Sequence, residues 1–216
     1  MYQTWCICMD RDREKIIEIG KRLYDRRLTF GTSGNISIRH NAKESVITGT
    51  GTRLGCLLQD DVVLISSEGD DIDGKGSSEK YLHTAIYSLR EDVGAIIHVH
   101  SLALTAFSCA RKAINQNIHP ENILVFDDIP LAPYGMPSSR ELVENTVNFF
   151  ENRDVVLMAN HGVVACGKDL DEAFTKIEMA EANAQLIINA QILGGGVSLN
   201  KNEVEDLIRL KNSCKH

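Results

Sequence analysis

Asp92–Ser101 reads DVGAIIHVHS. Ala95, Ile96, Ile97 and Val99 make a short apolar run of strand length. Side chains alternate along a strand, so His98 and His100 project from the same side of it. Two imidazoles on one face at a strand end form a donor pair for a divalent metal. Strand histidines also serve as ordinary hydrogen-bonding groups, and the metal reading gains weight only from further donors. A second apolar run, Val155–Met158, is followed by Asn160, His161 and Gly162, and Glu79 opens the helical stretch that precedes the first run. The candidate site is therefore His98, His100 and His161 with the carboxylate of Glu79 beside them.

Length and composition bound the rest. A chain of 216 residues suits one domain with a sizeable core, and a single domain over residues 1–216 is expected. The formal net charge of −7 argues against a general nucleic-acid surface. No apolar run approaches membrane-spanning length. The start, MYQTWCICMD, is too short and too soon charged for a secretory signal. Six scattered cysteines form no disulfide framework, and Cys6 and Cys8 lack a second pair at zinc-finger spacing. A cytoplasmic location is the expectation.

Along the chain, Asp10–Leu28 has helical spacing of Ile16, Ile19, Leu23 and Tyr24, with Asp10 as its cap. Ile36–Arg39 and Ser45–Thr48 are expected as an antiparallel strand pair, and Val62–Ile65 as another strand. Two glycine-rich turns flank the pair, FGTSGN at 30–35 before it and TGTGTR at 48–53 after it. Such turns either aim backbone N–H groups at an anion or are plain tight turns. The acidic stretch 66–76 reads as a solvated hairpin. Ser77 and Ser78 are expected to cap a helix running to about Leu89, where a phosphate also binds favourably. His83 lies one turn after Glu79, and either orients it or fills a packed position. Leu102–Ala110 is expected as helix, Ala113–Glu121 as irregular, Ile123–Phe126 as a strand, and Asp128–Pro137 as a loop. Ser138 is expected to cap a helix to Phe150, with Glu141 completing a capping box. Val163–Ala165 is a candidate hairpin partner of Val155–Met158. A long amphipathic helix from Leu170 to about Ala190, ended by Gly194–Gly196, and a short one over Glu203–Leu210 complete an α/β pattern.

An ordered set of motifs now carries a resemblance: TSGNIS at 32–37, ITGTG at 47–51, SSE at 77–79, HVH at 98–100, and NHG with VVACG at 160–167. From the first helix to about Leu210 the chain resembles the class II aldolase/adducin family, and within it most the branch that cleaves L-fuculose 1-phosphate. The resemblance implies a three-layer α/β/α fold around a mainly antiparallel central sheet. It implies a cyclic homotetramer with interfacial active sites. It implies a cytoplasmic, metal-dependent carbon–carbon lyase that splits a ketose 1-phosphate into dihydroxyacetone phosphate and a short aldehyde such as L-lactaldehyde. It further implies that His98, His100 and His161 hold zinc or another divalent metal, and that Glu79 is both a resting ligand and the acid/base. Gly34, Asn35, Thr50, Gly51, Ser77 and Ser78 match the family's phosphate cradle for a small phosphorylated sugar. Neither nucleic acid nor membrane is an implied partner.

Relatives within the family include epimerases, which carry aspartate at the acidic position, decarboxylases, dehydratases and adducin-like interaction modules, which have lost the metal residues. Glu79 favours the aldolase side, and the retained histidines disfavour the module. One departure stands out. Where the aldolases have a histidine–tyrosine pair whose tyrosine protonates the aldehyde oxygen of a neighbouring subunit's substrate, this chain has Ile118–His119. His119 is the candidate replacement donor, with Tyr134 as another contributor and a plain loop residue as the bland reading of His119.

Overall fold

Continuous apolar runs that are short and β-branched form strands buried on both faces, and those strands make the centre of this protein. The computed structural model describes residues 2–115 and 117–213, with side chains from residue 9 onward. Among these residues seven strands form one sheet: β1 (Asn35–Arg39), β2 (Glu44–Thr48), β3 (Val62–Ser66), β4 (Ala95–Val99), β5 (Leu131–Ala132), β6 (Val155–Met158) and β7 (Gly162–Gly167). Their spatial order is β3-β2-β1-β4-β7-β6-β5. Every neighbouring pair is antiparallel except β5 with β6. The β1–β2 and β6–β7 hairpins and the strand at 95–99 stand where the sequence puts them.

Among the described residues seven α-helices flank the sheet: α1 (Tyr2–Asp25), α2 (Lys80–Leu89), α3 (Leu102–Cys109), α4 (Pro120–Val125), α5 (Arg140–Thr146), α6 (Leu170–Ile192) and α7 (Lys201–Ser213). Alternation along β4 sorts its residues between the layers. Ala95, Ile97 and Val99 join a core with Ile16, Ile19 and Leu23 of α1, Leu104 of α3 and Phe174 and Ile177 of α6. Ile96 joins the opposite core with Leu82 and Ile86 of α2 and Leu142 of α5. His98 shares the parity of Ile96, so the histidine face is the α2 face.

Several boundaries differ from expectation. Helix α1 begins at Tyr2, which makes Asp10 an interior residue rather than a cap. It ends in a Schellman turn: Arg27 takes φ +58, and the Leu28 N–H reaches the Leu23 carbonyl at 2.9 Å. Residues 123–126 form no strand. His119 stands at the N-cap with Pro120 in the first turn, and the chain continues helically to Val125. The cap of α5 is Ser139, whose hydroxyl accepts from the Leu142 N–H at 3.1 Å, because Ser138 has turned to φ +66. The serines before α2 are displaced in the same way. Glu79 occupies the N-cap, and Ser77 Oγ accepts from the Glu79 N–H at 3.2 Å. The acidic stretch 66–76 is tied down rather than merely solvated: Asp73 accepts from the Leu64 N–H and from Arg13, and Asp71 from the Gly76 N–H and Lys80. Cys56, Cys109 and Cys166 are free thiols. The side chains of Cys6 and Cys8 lie outside the described residues, and so does Cys214.

Candidate metal centre

The strand β4 presents His98 and His100 at its end, and β7, its neighbour, begins immediately after His161. Register holds the two ends together, with Val99 opposite Val163 and His98 opposite Val164. His161 sits in the β6–β7 turn, entered through Asn160 at φ +56, a left-handed conformation that asparagine tolerates. Helix α3 clamps this turn. The Asn160 N–H donates to the Ser108 carbonyl at 3.1 Å, and Ser108 Oγ donates to the Gly162 carbonyl at 3.0 Å. Gly162 is a close-approach glycine, since a Cβ there would stand 2.6 Å from His100 Cδ2 and from the Val99 carbonyl oxygen. Glu181 of α6 fixes the other flank by accepting from Ser101 Oγ and from the Ala103 and Leu104 N–H groups.

The three imidazoles converge, with ring centroids 4.8, 4.9 and 5.0 Å apart. His98 Nδ1 lies 2.9 Å from the Val163 carbonyl, which can only accept, so Nδ1 carries a proton and, in the neutral ring, Nε2 presents a lone pair. That lone pair faces His100 Nε2 at 3.0 Å and Glu79 Oε2 at 3.1 Å, while His161 Nε2 faces Glu79 Oε1 at 3.2 Å. Glu79 Oε1 and His161 Nδ1 are buried without a hydrogen-bond partner. So many acceptors pointing inward repel one another unless a cation stands among them. A proton on one imidazole is the minimum, and a divalent metal satisfies all the donors at once. The donor atoms of His98, His100 and His161 lie within 4.8 Å of one another, so the residues fit the metal.

The electrostatics agree. Burial opposes charge on Glu79, but the His98 and His161 rings and the hydrogen bonds from His98 and Asn35 outweigh it and hold the carboxyl well below its usual range. Burial lowers His98 too, and the Glu79 carboxylate more than reverses this, so His98 takes the proton when no metal is bound. Burial, reinforced by the charge on His98, pushes His100 and His161 down to about 4 and His83 to about 3. These three imidazoles are neutral near pH 7, the state in which the two cluster members ligate.

This has a consequence for stability in the metal-stripped protein. His83, His100 and His161 take up a proton at lower pH in the fold than near the unfolded value of 6.5. Between that value and about 4 the unfolded chain therefore binds more protons, and stability falls as pH falls. His98 acts oppositely, stabilising below 6.5 and losing that contribution as pH rises through its raised value. Three groups outweigh one, and each uncompensated proton contributes up to about 1.4 kcal/mol per pH unit. Urea midpoints measured on metal-free protein should drop steadily from pH 7 to pH 5. A flat profile over that window contradicts neutral buried imidazoles.

Hydrogen bonds link several of the anion-loop residues to their neighbours. Gly49 bridges to Gly76, Thr50 Oγ1 donates to the Gly76 carbonyl at 2.7 Å and the Ser77 N–H to the Thr48 carbonyl at 3.0 Å, which ties the 48–50 turn to the segment entering α2. Gly34 adopts φ +83 where a Cβ would stand 2.6 Å from the His98 carbonyl oxygen, so its freedom is needed for close packing on the histidine strand. Asn35 directs its carboxamide at Glu79 and His83. A cavity of about 340 Å³ reaches Glu79 and Ser78 and is walled by Tyr81, Leu82, Ser138 and Leu142. Two roomier clefts of about 560 Å³ lie elsewhere, walled by charges already paired, such as Arg153 with Asp128 and Lys15 with Asp171. Volume does not mark the site; donor chemistry does.

His119 does not join the cluster within its own chain. It lines a separate cavity of about 170 Å³ with Glu121, Asn122, Glu178 and Asn183. Tyr134 is exposed, its hydroxyl directed at the Met136 sulfur. Sequence reasoning missed Ser37 and Tyr87: the buried Ser37 hydroxyl bonds His83 on one side and Tyr87 on the other. The signal was present as period-two spacing of Asn35 and Ser37 and period-four spacing of Glu79, His83 and Tyr87.

The profile described as Class II Aldolase and Adducin N-terminal domain matches residues 14–188. The chain is 39% identical over 177 residues to the L-fuculose phosphate aldolase of Methanocaldococcus jannaschii, covering 82% of this chain and 96% of that protein. It is 32% identical over 201 residues to the 3-oxo-tetronate 4-phosphate decarboxylase of Haemophilus influenzae, covering 90% and 95%. Among solved structures, an L-fuculose 1-phosphate aldolase superposes with TM-score 0.86 at 30% identity, covering 95% of this chain and 97% of that one.

Proposed function

The chain belongs to the class II aldolase and adducin family and carries the histidine triad of a metal-dependent lyase, and from that premise we propose that it cleaves a ketose 1-phosphate, best L-fuculose 1-phosphate, to dihydroxyacetone phosphate and L-lactaldehyde. The observation that carries this reading is the convergence of the three histidine side chains with the Glu79 carboxylate at the start of α2. His98, His100 and His161 hold the cation, zinc being the expected one, with Glu79 as a ligand at rest. When bound, the cation supplies Lewis-acid stabilisation of negative charge on substrate oxygens, so no Schiff-base lysine is needed.

The residues do the remaining work. The turns at Gly34–Asn35 and Thr50–Gly51, with Ser77 and Ser78 at the start of α2, cradle the phosphate and set the sugar's position. Loss of the C4 hydroxyl proton and breakage of the C3–C4 bond leave C3 to be protonated, and Glu79 delivers that proton. In condensation it removes the same proton. The C4 oxygen exchanges its proton with His119 of a neighbouring copy, in keeping with the distance of His119 from its own cluster. This calls for an oligomer, expected to be a homotetramer, and light scattering at assay concentration reads it out.

The extent of the likeness to the decarboxylase, over 90% of this chain, supports a second reading. There, carbon dioxide leaves in place of the aldehyde, and no donor at C4 is required. Zinc-loaded protein offered L-fuculose 1-phosphate, unphosphorylated L-fuculose and 3-oxo-tetronate 4-phosphate separates the cases. The expected result is cleavage of the first with kcat/KM at least about 10²-fold above the free sugar, because anchoring by the phosphate positions the reacting carbons. Equal efficiency with and without phosphate counts against the cradle. Turnover of the third alone assigns the decarboxylase.

A further inference from the structure

Glu79, His83 and Tyr87 recur every four residues from the N-cap of α2 onward, and Asn35 and Ser37 recur every two residues on β1. Both stripes face each other in the buried layer: His83 and Ser37 are fully inaccessible, and Asn35 and Tyr87 are buried. They are joined in alternation. Tyr87 Oη lies 2.8 Å from Ser37 Oγ, Ser37 Oγ 2.7 Å from His83 Nδ1, His83 Nε2 2.6 Å from Asn35 Oδ1, and Asn35 Nδ2 3.1 Å from Glu79 Oε2.

The two ends dictate one direction. A carboxylate only accepts, so Asn35 must turn its NH2 to Glu79 and its oxygen to His83. His83 must then carry its proton on Nε2 and accept at Nδ1, which makes Ser37 the donor to His83. At the far end, the buried Tyr87 hydroxyl has Ser37 as its partner and donates to it, leaving the Ser37 proton for His83. Reversing any link sets two acceptors or two donors face to face. We propose that Tyr87, Ser37 and His83 form a one-way hydrogen-bond chain that fixes the Asn35 carboxamide and, through it, aims the Glu79 carboxylate, which makes Ser37, His83 and Asn35 positioning residues for the acid/base step. The inference rests on the role given to Glu79 above and deepens it. The chain needs no proton transfer along its length; it works by permitting one orientation of each member. A neutral, buried His83 fits this task, because an imidazolium would donate from both nitrogens and break the Ser37 link.

Two measurements test it. In zinc-loaded wild-type protein with ¹⁵N-labelled histidine, His83 should appear as a single Nε2–H tautomer. In Ser37→Ala the Nδ1 partner is gone, and the tautomer should become mixed. With L-fuculose 1-phosphate, Ser37→Ala should lose about tenfold or more in kcat while KM and zinc content stay within about twofold, because only the aim of a transition-state group has changed. Ser37→Thr, which keeps the hydroxyl, should restore both the tautomer and kcat. An Nδ1–H tautomer in the wild type, or wild-type kcat in Ser37→Ala, overturns the proposal. Failure of the sugar-phosphate reading looks different: the wild type itself turns over no L-fuculose 1-phosphate, and the tautomer measurement still decides the direction of the chain.

Discussion

Glu79→Gln is expected to fold, to retain the Asn35 contact through its amide oxygen, and to lose at least about 10²-fold in turnover, within the 10²- to 10⁴-fold that a well-placed acid or base contributes. The carboxylate touches the histidine cluster, at 3.1 and 3.2 Å, and Glu79 is among the residues that line a cavity. Glutamine preserves its shape and removes its proton chemistry. It also removes a negative charge from among the imidazoles, so zinc content must be measured alongside. The decisive assay is exchange of the C3 proton of dihydroxyacetone phosphate into deuterated water without aldehyde. Glu79→Gln with a full complement of metal should be nearly silent in it. Wild-type exchange in such a preparation removes Glu79 from the proton-transfer role.

The second large effect is expected for His161→Ala. Loss of one of the three histidine donors should weaken metal retention by more than the roughly 10- to 100-fold cost of changing an outer hydrogen-bond partner. Activity should fall with it and be partly recovered by excess zinc. His161 stands on a turn clamped by its neighbours' backbone rather than by its own side chain, so the fold should survive. Metal per chain after gel filtration is the readout. Full stoichiometry in His161→Ala assigns the cation to other residues. Ser37→Ala provides the contrast, since it should keep its metal and lose kcat.

Much of this was legible in the sequence, for reasons that can be located. The apolar runs at 95–99 and 155–158 are short and β-branched, and each carries its histidine at or just beyond the end, so strand and site declared themselves together. Ile123–Phe126 has the same apolar character and misled. Pro120 with the N-cap residue before it outweighs strand propensity there, and a four-residue apolar run cannot arbitrate alone. The caps before α2 and α5 were misplaced by one or two positions because adjacent serines compete, and only backbone conformation separates them, as φ +66 at Ser138 does. Gly34 looked like part of an anion turn, and its contact with the His98 carbonyl depends on β1 lying beside β4, a pairing that no local pattern encodes. The Asn35–His83 contact was hidden for the same reason. Each stripe is periodic in sequence, but which helix covers which strand is a property of the whole fold.

The pairing of β4 with β7 also bears on how this chain reaches its native state. A slip of one residue in that ladder would turn His98 from the α2 face to the α1–α6 face and carry it away from Glu79. Metal capture thus reports alignment of two strands distant along the chain, together with the correct seating of α2, which precedes both in sequence. Such long-range contacts form late and slowly. During refolding from denaturant, secondary structure should return before high-affinity zinc uptake, and the delay between the two signals times the moment when the sheet settles into register.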